Sequence, residues 1–140
     1  MFRATRLIYD ELKQADSGYK VFTEENDRSS RVWLQWGIDN GPNYRIQFIS
    51  TDDDSDVSVR VYGLVNVTEA QKSKLVMACN ELNSKYRFVK FVIDKDLDLN
   101  VEYDFPVDTI SVESCAEEIM LRFVKIIREA YPELMRAIWS

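Results

Sequence analysis

Apolar positions recur along the chain with two different periods, and the switches between them mark out its elements. From Phe2 to Ala15, the residues Phe2, Leu7, Ile8, Leu12 and Ala15 fall on one side of a helical wheel, with Arg3, Arg6, Asp10, Glu11 and Lys13 mostly on the other. This pattern predicts an amphipathic helix. Asp16, Ser17 and Gly18 end it, because glycine accepts a positive φ without a Cβ penalty. A period of two then takes over. Tyr19–Thr23 is a short run, Arg31–Gly37 sets Val32, Leu34 and Trp36 against Trp33 and Gln35, and Tyr44–Ser50 sets Tyr44, Ile46 and Phe48 against Arg45 and Gln47. The polar stretch Glu24–Ser30 and the turn cluster Asp39–Asn43 are short enough to join antiparallel neighbours. In the next run, Asp56–Val67, Gly63 interrupts an alternation of valines and is expected to mark a bulge or a close backbone approach.

Helical spacing returns at Thr68, which with Gln71 forms a capping-box pattern. Leu75, Cys79, Leu82 and Tyr86, widened by Val76 and Ala78, make one apolar stripe that is expected to face the sheet, and Asn83 and Ser84 end the helix. Arg87–Asp94 and Leu97–Phe105 then read as a hairpin joined by Asp94, Lys95 and Asp96. Its second strand alternates Leu97, Leu99, Val101, Tyr103 and Phe105 with Asp98, Asn100, Glu102 and Asp104, which is the cleanest strand signal in the chain. Pro106 closes that strand for lack of a ladder donor. Ser111 is the expected N-cap of a last helix, with Ile110 able to staple onto Cys115. Ile119, Met120, Phe123, Ile126, Ile127, Ala130 and Tyr131 give this helix its apolar face. Pro132 is expected to break it or to open a new first turn before an apolar tail of Leu134, Met135, Ile138 and Trp139. The predicted fold is an α+β single domain over residues 1–140, an antiparallel sheet covered by helices in the order α-β-β-β-β-α-β-β-α.

Composition narrows the function more than it identifies one. The chain has 140 residues, a hydrophobic content of 46% and a formal charge of −6. That acidity works against a phosphate-binding surface, so nucleic acid is not an expected partner. The first residues carry charges at short intervals with no apolar leader region, and no run of apolar residues approaches a membrane span. A cytoplasmic location without membrane contact is therefore expected. Cys79 and Cys115 fall in helical patterns without metal-ligand or redox spacing, as core thiols do. The chain has no histidine, which removes the usual general base near neutral pH and the commonest transition-metal ligand. Nucleophile-elbow, phosphate-loop and dinucleotide motifs are also missing. The expectation is a protein that is not an enzyme and has no cofactor.

The run NELNSKYRFVKFVID is the most distinctive in the sequence. Asn80, Asn83, Arg87 and Phe88 within it are followed by a strand, an acidic turn at Asp94–Asp98, an alternating strand and a closing amphipathic helix. Together these resemble the YbjN-like family, named for bacterial sensory transduction regulation. That family in turn resembles type III secretion chaperones in fold, small acidic proteins that dimerise and bind other polypeptides. The resemblance covers nearly the whole chain. It implies a non-catalytic homodimer acting through protein contacts, with no catalytic residue to transfer. The extra strand-like run sets the chain apart from the secretion chaperones.

Three constellations invite a functional reading and a structural one. Asp52, Asp53, Asp54 and Asp56, and again Asp94, Asp96 and Asp98, suggest calcium. Neither cluster completes the twelve-residue loop, since Leu99 and Phe105, or Val57 and Gly63, stand where its glycine and its bidentate glutamate belong. Solvated turn acids are the expectation, with no metal. Asn80, Asn83 and Arg87 offer a recognition patch, or the amides tie a helix end to the next strand. Trp33 and Trp36 lie on opposite strand faces, so one of them is a candidate anchor outside the core. Trp33, Trp36, Leu134, Ile138 and Trp139 are the candidate protein-binding residues. The function so predicted is a chaperone-like or regulatory binding domain for a protein partner. The alternatives are a dedicated type III secretion chaperone and a metal-dependent sensor or enzyme working through the acidic turns.

Overall fold

The computed structural model describes residues 1–15, 18–53, 55–107 and 112–140, without the side chain of Glu113. The expected stops at Asp16 and Ser17, the cap at Ser111 with its staple Ile110, and Asp54 lie outside the described residues. Helix α1 (Arg3–Gln14) leads into strands β1 (Phe22–Glu25), β2 (Ser30–Gly37), β3 (Asn43–Ser50) and β4 (Asp56–Asn66). Helix α2 (Glu69–Lys85), strands β5 (Lys90–Ile93) and β6 (Asp98–Pro106) and helix α3 (Val112–Trp139) complete the chain. All neighbouring strands are antiparallel in a sheet ordered β1-β2-β3-β4-β6-β5. The α+β order predicted from the two periodicities is the order observed. Helix α2 carries the chain past one vacant strand position, and β6 turns back to fill it.

The alternation of each strand decides where the core lies. Val32, Leu34, Ile46, Phe48, Val57, Val59, Val61, Leu99, Val101 and Phe105 share one sheet face and join one core cluster with residues of all three helices. Ile8 and Leu12 of α1, Leu75 and Leu82 of α2, and Met120, Phe123 and Ile127 of α3 are almost fully buried there. A buried hydroxyl pair fixes the start of α1. Thr5 Oγ1 lies 2.6 Å from Ser30 Oγ, and that Ser30 oxygen also accepts from the Phe2 amide at 3.1 Å. At the start of α2, Gln71 Oε1 accepts from the Thr68 amide at 3.1 Å, the reach-back of the capping box.

Gly63 takes φ +64°, and the β4–β6 register shifts between Val61 and Val65, so the bulge read from the sequence is present. Several boundaries differ from the sequence reading: β5 is Lys90–Ile93, not Arg87–Asp94, and α2 runs past Asn83 and Ser84 to Lys85. β1 is Phe22–Glu25, not Tyr19–Thr23, because Asn26 Oδ1 accepts from the Arg28 and Ser29 amides and builds a tight turn that draws Glu24 and Glu25 into the hairpin. Helix α3 runs through Pro132 without a new start. Ile127, Ala130, Leu134 and Ile138 continue one buried stripe on both sides of the proline. Burial of an Ile or Leu contributes about 1.5–3 kcal/mol, so this stripe offsets a cost of about 3 kcal/mol for an internal proline.

Candidate interaction surface

The strand alternation that fills the core leaves the opposite sheet face with its own chemistry. Phe22, Trp33, Ile49, Tyr62 and Val92 belong to that face, and none of them joins the core cluster. On the β1-β2-β3 half, the register places Phe22 opposite Trp33, and their rings stack at 4.3 Å with 15° between the planes. The Arg45 guanidinium lies 3.9 Å from the Trp33 ring centroid. Arg31 donates to Gln47 Oε1 at 2.9 Å. On the β4-β6 half, Arg60 bonds Asp104 at 2.7 Å and approaches Glu102 at 3.9 Å, and these carboxylates raise its already high pKa against the opposing effect of burial. One half of the face is therefore neutralised by ion pairs. The other half offers a stacked aromatic flanked by two arginines.

The structure does not gather the five residues proposed from the sequence. Trp33 lies on the outer face. Trp36 is half-buried on the inner side, with its ring centroid 6.2 Å from that of Tyr19, and its Nε1 is buried without a hydrogen-bond partner. Leu134 and Ile138 are core residues on the buried stripe of α3, so neither reaches a surface. A tail read as separate from the helix predicted accessible apolar side chains; the unbroken helix turns them inward. Trp139 is 77% exposed, and Met77 and Val76 of α2 are exposed at 68% and 48%. Val76, read from the sequence as widening the buried stripe of α2, is instead exposed, and Met77 was missed, because α2 alternates its polarity only weakly around the wheel. The sequence reading also missed Phe22 and Arg45, whose partnership with Trp33 depends on register across three strands. The Lys74 ammonium donates to the Ser140 carbonyl, and Lys85 pairs with Glu133 at 2.9 Å, so polar contacts bind α2 to the end of α3.

Within the distinctive run, the four motif residues have separate surroundings. Asn83 Oδ1 accepts from the Phe91 amide at 2.7 Å, and its Nδ2 donates to the Phe91 carbonyl at 3.1 Å. The side-chain amide thus stands where a further strand would pair and closes part of the open edge of β5. Phe88 stacks on Tyr103 at 4.3 Å, meets Phe123 edge-on at 6.3 Å and has the Arg122 guanidinium 5.2 Å above its ring. Asn80 and Arg87 are exposed.

The acids of the turns are directed at backbone amides. Asp94 Oδ1 accepts from the amides of Asp96 and Asp98 at 2.9 and 3.1 Å, and Oδ2 accepts from Asn100 Nδ2 at 3.0 Å. The Asn100 bond first, and then the two backbone bonds, hold the Asp94 carboxyl below its ordinary range. Asn100 is buried, and its Oδ1 accepts from the Gly63 amide at 2.9 Å, linking the β4 bulge to the acidic turn. Asp53 Oδ1 accepts from the Arg3 amide and so caps α1 from a distant loop. Among the described residues, no group of three or more acids or cysteines is arranged to hold a metal. Cys79 is buried, and desolvation pushes its thiol up to about 11.

A family model for YbjN, described as "Putative bacterial sensory transduction regulator", matches residues 7–134. The chain belongs to the YbjN family. No curated protein matches it. A solved structure extends the likeness of this YbjN protein at the level of fold. The heterodimeric complex ExoU-SpcU from the type III secretion system of Pseudomonas aeruginosa contains a chain that matches with a TM-score of 0.54 and 16% sequence identity. The match covers 94% of the YbjN chain and 97% of the other. The architecture is thus α+β and secretion-chaperone-like. Among the described residues of the YbjN chain, no helix is long and apolar enough to cross a membrane.

Proposed function

We propose that the protein is a non-catalytic, chaperone-like or regulatory binding domain that acts in the cytoplasm as a homodimer and holds a partner polypeptide. It works as one domain over residues 1–140. The observation that carries this reading is the sheet face outside the core cluster, with Phe22 and Trp33 stacked beneath Arg45. A stacked, half-exposed tryptophan with an arginine on it supplies the side chains that most often dominate protein interfaces. Family membership and a fold shared with a chain of a protein heterodimer support the same reading. Val76, Met77 and Trp139 form the proposed contact between protomers, because large apolar side chains this exposed favour burial against a second surface.

The test compares what wild-type protein and an Arg45→Glu variant retain from native lysate. The reading expects one or a few proteins retained by wild type and lost by the variant; identical retention by both contradicts it. A second reading, a dedicated type III secretion chaperone, draws on the ExoU-SpcU likeness. It requires a single secreted protein among those retained, whereas regulatory or housekeeping partners favour the first.

A further inference from the structure

A second site lies on the inner side of the sheet, independent of the face just described. The β2–β3 hairpin and α3 border a partly open cavity of about 170 Å³ lined by Trp36, Ile38, Asp39, Tyr44, Val124 and Arg128 together with Gly37. Trp36 and Tyr44 are cross-strand partners, which brings both to one wall. Val124 and Arg128 stand four residues apart on α3 and so share a face of that helix. The hairpin tip meets α3 at Gly41, where an added Cβ would stand 3.0 Å from the Tyr131 ring.

Three of the lining residues carry hydrogen-bond donors that lack partners among the described residues. Trp36 Nε1 is buried with no acceptor, the one such side-chain atom among the described residues. Tyr44 is 6% exposed, and its hydroxyl makes no hydrogen bond. Arg128 forms no ion pair or hydrogen bond. Burial raises the Tyr44 hydroxyl to about 12, against a smaller pull downward from Arg128, so it keeps its proton and can donate at neutral pH. Trp36 Nε1 is a buried donor without an acceptor, which costs about 1–3 kcal/mol and favours an occupant that supplies an oxygen, while the solvent-accessible Tyr44 hydroxyl and the exposed Arg128 guanidinium are free to bond the same occupant. The character of the walls selects among such occupants. The Trp36 ring, Ile38 and Val124 suit a short alkyl group, and the planar guanidinium suits a carboxylate. Asp39 opposes a multiply charged anion.

We infer that this cavity binds a small organic monocarboxylate, with its oxygens received by Arg128, Tyr44 and Trp36 and its alkyl group against Ile38 and Val124. The probe is propionate, and propionamide serves as a neutral control of nearly the same shape. The three tryptophans give three indole N–H signals in a ¹⁵N-labelled sample of the full chain. Propionate is expected to shift the Trp36 signal saturably, and propionamide is expected to leave it in place. Arg128→Gln, on an exposed helix position, removes a charge-assisted contact and is expected to weaken binding roughly tenfold or more. Tyr44→Phe is expected to weaken it with the indole spectrum otherwise kept. The inference is overturned by the absence of a saturable shift with propionate, by an equal shift with propionamide, or by unchanged affinity in Arg128→Gln.

Discussion

At the scale of single residues, two polar positions fix the backbone where the alternating pattern breaks. Asn100 is buried although it belongs to the polar positions of the alternating strand β6, and it satisfies the Gly63 amide at the bulge while donating to Asp94. Asn100→Ala leaves the Gly63 amide without its partner, with an expected loss of about 1–3 kcal/mol in urea unfolding. Gly63→Ala forces a Cβ into the left-handed region at φ +64°, with an expected cost of about 1–2 kcal/mol by the same measurement. Asp94 sets a pH dependence with a defined sign. Its folded pKa lies below its unfolded value, so its contribution is complete above the unfolded pKa and is lost as pH falls through the folded one. Asp94→Asn is therefore expected to flatten the acid limb of stability against pH, read from urea midpoints at a series of pH values. These acids were read as solvated turn residues. Their amide partners could not be foreseen, because the bonds depend on the turn that places Leu97 at φ +62°.

At the scale of elements, the order of helices and strands was legible because the period of hydrophobicity switches cleanly between 2 and 3.6. The boundaries of β1 and the course of α3 were less so. A proline breaks a helix on local grounds, while the stripe through Leu134 and Ile138 is a property of tertiary packing. Leu134→Ala is expected to lose about 2–5 kcal/mol in unfolding, as a core truncation does, whereas Trp139→Ala should stay within about 0.5 kcal/mol for the monomer. The candidate site divides in the same way. Trp33 was legible as an aromatic on the opposite strand face, since parity alone decides that. Its partners Phe22 and Arg45 come from strands aligned by register, which the sequence does not display. Asn83 was read with its bland alternative of tying helix to strand, and its two bonds to Phe91 make that tie. Asn83→Ala is expected to speed hydrogen exchange at the Phe91 amide, the bond that closes the β5 edge.

At the scale of the whole molecule, one sheet face is committed to the core and the other carries aromatics and arginines on an acidic chain. Exposed Val76, Met77 and Trp139 lie on the two helices that are bound to each other by Lys74 and Lys85. The proposed dimer and the proposed partner surface are thus different parts of the molecule, and each can be removed without the other. The most direct measurement is light scattering coupled to size exclusion at tens of micromolar, with wild type beside Met77→Glu. The account predicts twice the 16.4 kDa chain mass for wild type and a single chain mass for the variant. A wild-type protein that elutes at one chain mass contradicts it.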